Sequence, residues 1–340
     1  MFKKRYLAFL FLFVGFFSLG WILLRPKIIS VEKIERKNSH QQFLPEKDEK
    51  IISVLLVGNI MLNRGVKYKI EKYGGGDFRF PFLKIAEELK KADVVFGNLE
   101  GPISDKGVKV GSIYSFRSDP KSIEGLKFAN FNILSLANNH VLDYGREAIK
   151  DTLLRLKEAG IDWVGAGFNE NEAFSPLVKK LTEQKIGFLA FTNLVPESWR
   201  AGKENAGLAW ISEKDFEKIK EEIKKAKENC DLLIISLHAG EEYQKSRQNF
   251  KENFQRWQSM LVADIVFGHH PMSFKKVKFI MVATFFIVWE ILFLTKAFQK
   301  NDGGKMIKIL IENKKIKKII PIETQINEFF QPEIKKEAIR

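Results

Sequence analysis

The sequence predicts an α/β fold, and three observations predict it. Apolar, β-branched runs recur at Ile51–Val57, Asp93–Phe96, Leu134–Leu136, Ile186–Phe191, Leu232–Leu237 and Ile265–Phe267. Such short, continuous runs suit strands covered on both faces. Stretches of helical period separate them, as at Arg146–Ala159 and Glu213–Glu228, and that alternation is the α/β pattern. Finally, strand after strand ends in a metal-capable residue: Asn59, Asn98 and Glu100, Asn139 and His140, His238, His270. With His269 of Gly268-His269-His270-Pro271, four of the five histidines stand at such positions. Loops at one edge of an α/β sheet are where sites assemble.

The chain opens with Lys3, Lys4 and Arg5, then runs without a charge from Tyr6 to Leu24, rich in Phe and Leu. That length suits a membrane span, and the basic residues ahead of it put the N-terminus in the cytoplasm and the body outside. A cleaved signal peptide is the competitor. No small-x-small site precedes Arg25 and Lys27, although Ser18 and Gly20 leave cleavage open. Residues 1–27 are read as a single-span anchor, 28–50 as a polar linker, 51–325 as the folded body and 326–340 as a tail.

Within the body, Phe82–Lys91 and Ser122–Phe128 read as helices. Arg146–Ala159 is a helix entered after Asp143 and closed by Gly160, and Trp163-Val164-Gly165 begins a strand. From Met306 a hairpin is expected, with its turn at Asn313-Lys314. The net charge of +14, from 56 Lys and Arg against 42 Asp and Glu, suits a polyanion or an anionic membrane surface. It also suits ordinary solvated helix faces, where most of the Lys lie. No basic cluster interleaved with aromatics is present, which argues against nucleic acid. Cys230 is the only cysteine, so no intrachain disulfide forms, and its place before an apolar strand suits a small core residue.

The stretch Leu134–Gly145 delivers Asn138, Asn139, His140 and Asp143 together. An amide oxygen, an imidazole and a carboxylate at one strand end have the makings of a site. The alternative is an Asn-rich turn in which Asp143 caps the next helix. Mixed Asn, Glu and His donors suit Mn²⁺, Fe²⁺ or Zn²⁺. Two such ions could clamp a phosphate or carboxyl oxygen and activate water.

Taken in order, GNIML, GNLEGP, ANNHVLDYG, HAGEEY and GHHP resemble the motifs of the CapA family of capsule-synthesis proteins. The resemblance covers about Ser53–Pro271 and implies a calcineurin-like metallophosphatase fold, a four-layer α/β/β/α sandwich. It further implies metal-facing positions at Asn59, Glu100, Asn139, His238 and His270. It makes His140 the acid/base candidate with Asp143 beside it, and Asn98, Asn138 and Glu242 substrate contacts. The implied partners are an anionic exopolymer such as poly-γ-glutamate and other capsule-synthesis membrane proteins. A metal-dependent hydrolase of a phosphoester or amide, and a non-catalytic polyanion binder, are the alternatives.

The sequence departs from the family pattern at three places. Asn59 stands where the family has Asp, Ala239 where it has Trp, and Met272 where it has His. After them, Phe279–Leu294 is apolar but for Glu290. It could be a short second span or two buried strands lacking a turn. A shifted codon frame is the reading we prefer. The shift forces Gly at Met281-Val282 and at Trp289-Glu290, allows Tyr or His at Phe286-Ile287, and allows His at Pro271-Met272. A compensating pair of insertions or deletions would thus have scrambled about 272–300, and the same shift is permitted at Trp257–Val262.

Overall fold

The structure is a computed structural model that describes residues 50–110, 114–239, 262–269, 280–282, 285–289 and 303–335. The expected anchor Tyr6–Leu24, nearly all of the linker, Glu242, His270 and Met272 lie outside the described residues. Among the described residues no helix is long and apolar enough to cross a membrane.

In chain order the first half contains β1 (Ile52–Ile60), α1 (Arg64–Tyr73), α2 (Ala86–Leu89), β2 (Val94–Leu99), α3 (Ser122–Phe128), β3 (Ile133–Ser135), α4 (Gly145–Ala159), β4 (Asp162–Val164) and β5 (Ala166–Gly167). Then come α5 (Glu170–Phe174), β6 (Leu177–Leu181), β7 (Gln184–Thr192), β8 (Gly207–Leu208), α6 (Phe216–Glu228), β9 (Leu232–His238) and β10 (Ile265–His269). The last strands are β11 (Ile280–Val282), β12 (Phe285–Trp289), β13 (Gly303–Glu312), β14 (Lys315–Ile326) and β15 (Pro332–Ile334).

Among the described residues these strands form two large sheets and a two-stranded one, in which β5 pairs antiparallel with β8. The first has the order β15-β14-β13-β1-β2-β3-β4, and the second β11-β12-β10-β9-β7-β6. β1 to β4 run parallel, as do β7, β9, β10 and β12. Strand alternation sorts their side chains into three cores. Ile52, Val54 and Leu56 of β1, with Val94 and Phe96 of β2, meet Phe188, Ile234, Ile265 and Phe267 of the second sheet. Phe96 stacks on Phe188 at 5.6 Å between ring centroids. The opposite face of the first sheet (Leu55, Val95, Leu134) packs on Val66 and Ile70 of α1, Leu126 of α3 and Ile149 and Leu153 of α4. The outer face of the second (Leu189, Leu233, Ile235) packs on Ile219 and Ile223 of α6. Helices therefore cover both outer faces of a pair of facing sheets, an α/β/β/α layering. With both faces buried, the strands had to read as unbroken apolar runs.

Several boundaries move. β2 continues through Gly97-Asn98-Leu99, so Asn98 is a strand residue rather than a loop residue. The helix expected over Phe82–Lys91 reduces to a 3₁₀ turn, Phe80–Phe82, and the single turn of α2. Pro81 opens that turn and no side chain caps α2, so the apolar spacing of Phe82, Ile85 and Leu89 is buried by irregular turns instead. The 313–314 turn is where the sequence put it: Asn313 and Lys314 have φ of 51° and 62°, the positive pair that a tight hairpin turn requires. Gly160 ends α4 at φ 71°, a left-handed helix terminus. Cys230 is buried. In the apolar run, β11 pairs antiparallel with β12, and β12 lies parallel to β10.

Candidate functional site

The C-terminal ends of β1, β2 and β3 in one sheet meet those of β9 and β10 in the other. Asn98 ends β2 on the inter-sheet face, in phase with Val94 and Phe96. Asn59 reaches the same place by a different route. The β1–β2 register shifts between Val57 and Asn59, and Val57 and Ile60 both fall in the outer core. That bulge turns Asn59 toward Asn98, as bulges re-aim side chains beside sites.

An amide network ties the two sheets together. Asn98 Nδ2 donates to Asn59 Oδ1 at 2.8 Å, and Asn59 Nδ2 to Glu100 Oε1 at 2.5 Å. Asn138 Nδ2 donates to Leu99 O at 2.7 Å and reaches Asn98 Oδ1 at 3.2 Å. Across the sheet interface, His238 Nδ1 lies 3.3 Å from Asn98 Nδ2, and His238 Nε2 lies 3.0 Å from Asn139 Oδ1. Thr192 Oγ1 donates to His238 O at 2.8 Å and fixes that strand end. Asn59, Asn98, Glu100, Asn138 and His238 are all buried. Buried polar groups need such partners, because an unpaired one costs about 1–3 kcal/mol.

His140 and Asp143 form the second part of the site. Asp143 does not cap α4; the cap position is Tyr144, with no side-chain bond. Instead Asp143 Oδ2 lies 2.9 Å from His140 Nδ1 and accepts from Phe116 N at 2.8 Å. The other imidazole nitrogen, Nε2, lies 3.3 Å from Asn139 Nδ2. This pattern assigns the ring proton to Nδ1, donated to the carboxylate, and leaves Nε2 with a lone pair. The Asn139 amide thus stands between the imidazoles of His140 and His238. Phe116 closes over His140 with ring centroids 4.4 Å apart.

The loop after Glu100 is tied down at Asp151 of α4. Burial alone would push the Asp151 carboxyl up. Hydrogen bonds from Ser104, Arg155 and Lys106 outweigh that and hold it below the usual carboxylate range. Ser104 Oγ donates to it at 2.7 Å and Arg155 Nε at 2.8 Å.

The residues suited to a metal are Asn59, Glu100, Asn139 and His238. Ligand atoms about 2.1 Å from one ion, at right angles, stand about 3 Å apart. The 3.0 Å between Asn139 Oδ1 and His238 Nε2 meets that condition. Among the described residues no three His, Cys, Asp or Glu side chains group as metal donors, so this donor set depends on amides. Of this set, only the Asn139 Oδ1 and His238 Nε2 pair is spaced to face one divalent ion; the Asn59 oxygen accepts from Asn98 and its nitrogen faces Glu100. A second, bridged ion would want a carboxylate at position 59, where an amide carries no charge.

His269 was not among the sequence candidates. It lies opposite His238 in the β9–β10 register, with their rings stacked 6.1 Å apart. Its side chain is fully buried, and among the described residues neither ring nitrogen has a hydrogen-bond partner. Burial holds its pKa down to about 3. Strand phase was the available signal: Ile265, Phe267 and His269 alternate onto one face. His270 and Glu242 lie outside the described residues.

The pattern of the bacterial capsule synthesis protein family PGA_cap matches residues 53–290. The chain belongs to that family. The family resemblance read from the five motifs is thereby borne out. Among its relatives, the capsule biosynthesis protein CapA of Bacillus anthracis is 30% identical over 252 residues, covering 72% of this chain and 60% of that protein. The PGA biosynthesis protein CapA of Bacillus subtilis strain 168 is 31% identical over 228 residues, covering 65% and 57%. The chain thus spans about 60% of the length of the curated relatives it matches. A probable polyglutamine synthesis accessory protein of Mycobacterium tuberculosis is 28% identical over 230 residues. Among solved structures, a phosphatase from Mycoplasma pneumoniae superposes with a TM-score of 0.47 at 15% identity, covering 81% of this PGA_cap chain and 94% of that one.

Proposed function

We propose that this PGA_cap domain acts on a poly-γ-glutamate chain, or a related anionic exopolymer, in capsule synthesis, at the edge where its two sheets meet. The observation that supports this most is the His140–Asp143 pair, with Nδ1 held on the carboxylate at 2.9 Å and Nε2 turned toward Asn139. In this reading His140 Nε2 takes the proton of an attacking water and passes it to the departing amine. Asp143 holds the ring in the required tautomer and stabilises the imidazolium. Asn98 and Asn138 would contact the substrate in this reading, as would Glu242 of the HAGEEY motif, which lies outside the described residues. The metallophosphatase-like kinship of the fold is part of this proposal. A divalent ion (Mn, Fe or Zn) held by Asn59, Glu100, Asn139 and His238, with His270 nearby in sequence, would supply Lewis-acid polarisation of the scissile carbonyl or phosphoryl oxygen. We take the domain to lie outside the cell, tethered through Tyr6–Leu24 beside other capsule-synthesis membrane proteins.

A second reading is favoured by Asn59. With an amide there, the same edge would hold the polymer without cutting it. One experiment separates the two. Purified protein is incubated with poly-γ-glutamate with and without Mn²⁺, and chain length and retention are both measured. Catalysis predicts metal-dependent shortening that His140→Ala lowers by about 10²–10⁴-fold, with retention unchanged. Retention with no shortening under any metal leaves the binding reading alone.

A further inference from the structure

The residue just past the first motif, Arg64, is built unlike its neighbours. It opens α1 with a φ of 54°, a left-handed backbone that glycine takes freely and an L side chain takes at a cost. Residues held this way without need are selected against, and those that persist cluster at sites. The side chain shows what the need is. The Arg64 guanidinium lies over the Phe116 ring, 5.0 Å from its centroid. The same ring lies 4.4 Å from the His140 imidazole, and the Phe116 backbone N–H binds Asp143. Phe116 therefore touches both Arg64 and His140, and links the guanidinium to the imidazole at the edge of the site.

Comparison with Arg117, the arginine that follows Phe116, sharpens the point. Arg117 is occupied: it donates to the carbonyls of Lys106 and Gly107 at 2.9 and 3.2 Å and lies 4.2 Å over the Tyr144 ring. It holds the loop. The exposed Arg64 guanidinium has, among the described residues, no hydrogen bond and no ion pair, only the ring beneath it. An arginine fixed on an aromatic face with its fork unfilled suits a planar oxyanion, which takes two parallel N–H bonds.

We infer that Arg64 is the oxyanion-holding residue of this site, and that it takes a carboxylate of the polymer and sets the chain beside His140. This rests on the polymer reading above for the source of the anion. Phosphate presents the same chemistry, so the test carries both.

The experiment is calorimetric titration of the full chain, wild type, Arg64→Gly and Arg64→Lys. The probes are an oligo-γ-glutamate, the same oligomer with its carboxylates methyl-esterified, and inorganic phosphate. Arg64→Gly should weaken oligo-γ-glutamate by about ten-fold or more, while its thermal midpoint equals or exceeds that of wild type, because glycine suits φ 54°. That pairing excludes misfolding as the cause. Arg64→Lys should recover only part of the affinity, since an ammonium lacks the fork. The esterified oligomer should not distinguish wild type from Arg64→Gly. Equal oligo-γ-glutamate affinity in wild type and Arg64→Gly overturns the inference. If wild type binds phosphate but not the oligomer, and Arg64→Gly loses the phosphate, Arg64 keeps its role and the polymer reading falls. If wild type binds neither, both fall.

Discussion

Asp143→Ala is expected to cost about 3 kcal/mol of stability and to lower the melting temperature by about 6–12 °C. The carboxylate is 2% exposed and serves two donors at one oxygen, the Phe116 backbone N–H and the His140 ring. Removing it leaves a buried N–H without a partner and frees the His140 ring, and Phe116 then loses its hold over the imidazole. Asp143→Asn separates the two effects. An amide oxygen still accepts from Phe116, so stability should stay within about 1 kcal/mol of wild type. The charge that would stabilise an imidazolium is gone, however, so any turnover should fall by about 10²-fold or more. His140→Ala should cost less than Asp143→Ala, because that side chain is partly exposed and the Phe116 N–H still serves the carboxylate. Urea titrations of the three variants check the order. An Asp143→Ala variant as stable as wild type would mean that the Phe116 bond does not hold this loop.

The contrast between Asp143 and Asn59 shows what the sequence could and could not tell. The layers were legible because burial on both faces forces apolar runs, and β1, β7, β9 and β10 read that way over most of their length. Asn98, Asn139, His140 and His238 were legible as strand-end polar residues, and the structure brings them within hydrogen-bond reach. The role of Asp143 beside His140 was legible through the family resemblance alone. A carboxylate just before a helix reads equally as a cap, and only the path of the 114–118 segment over His140 decides otherwise. The bulge that turns Asn59 was not legible, since a register shift is a relation between two strands and leaves no mark in either alone. The 82–91 helix failed for a related reason: apolar spacing reports which residues are buried, whether a helix or a series of turns buries them. Arg64 needed both a backbone angle and a ring contact, and the sequence displays neither.

His269 gives the largest expected pH effect. In the folded protein its imidazole stays neutral down to about pH 3 because it is fully buried; in the unfolded chain it takes up a proton near the ordinary value of about 6.5. Between those values the unfolded state binds the extra proton, so stability falls as pH falls, by about 1.4 kcal/mol per pH unit. Above about pH 6.5 the residue contributes no slope. The depressed carboxylates, Asp151, Asp93 and Asp215 among them, act in the same direction, but only at and below their unfolded values near pH 4. The window from pH 6.5 to 5 therefore belongs to histidine. His269→Leu should leave stability at pH 7 equal or higher, because it removes two buried nitrogens that have no partner among the described residues. It should also remove this residue's share of the slope, so that the variant gains on wild type by about 2 kcal/mol between pH 6.5 and 5. Urea titrations at pH 7, 6 and 5 measure it as a difference, in which the other histidines cancel. Parallel curves would mean that His269 finds a proton acceptor or a ligand in the folded protein. A divalent ion at the His238 edge is the first to test, by repeating the titrations with a chelator.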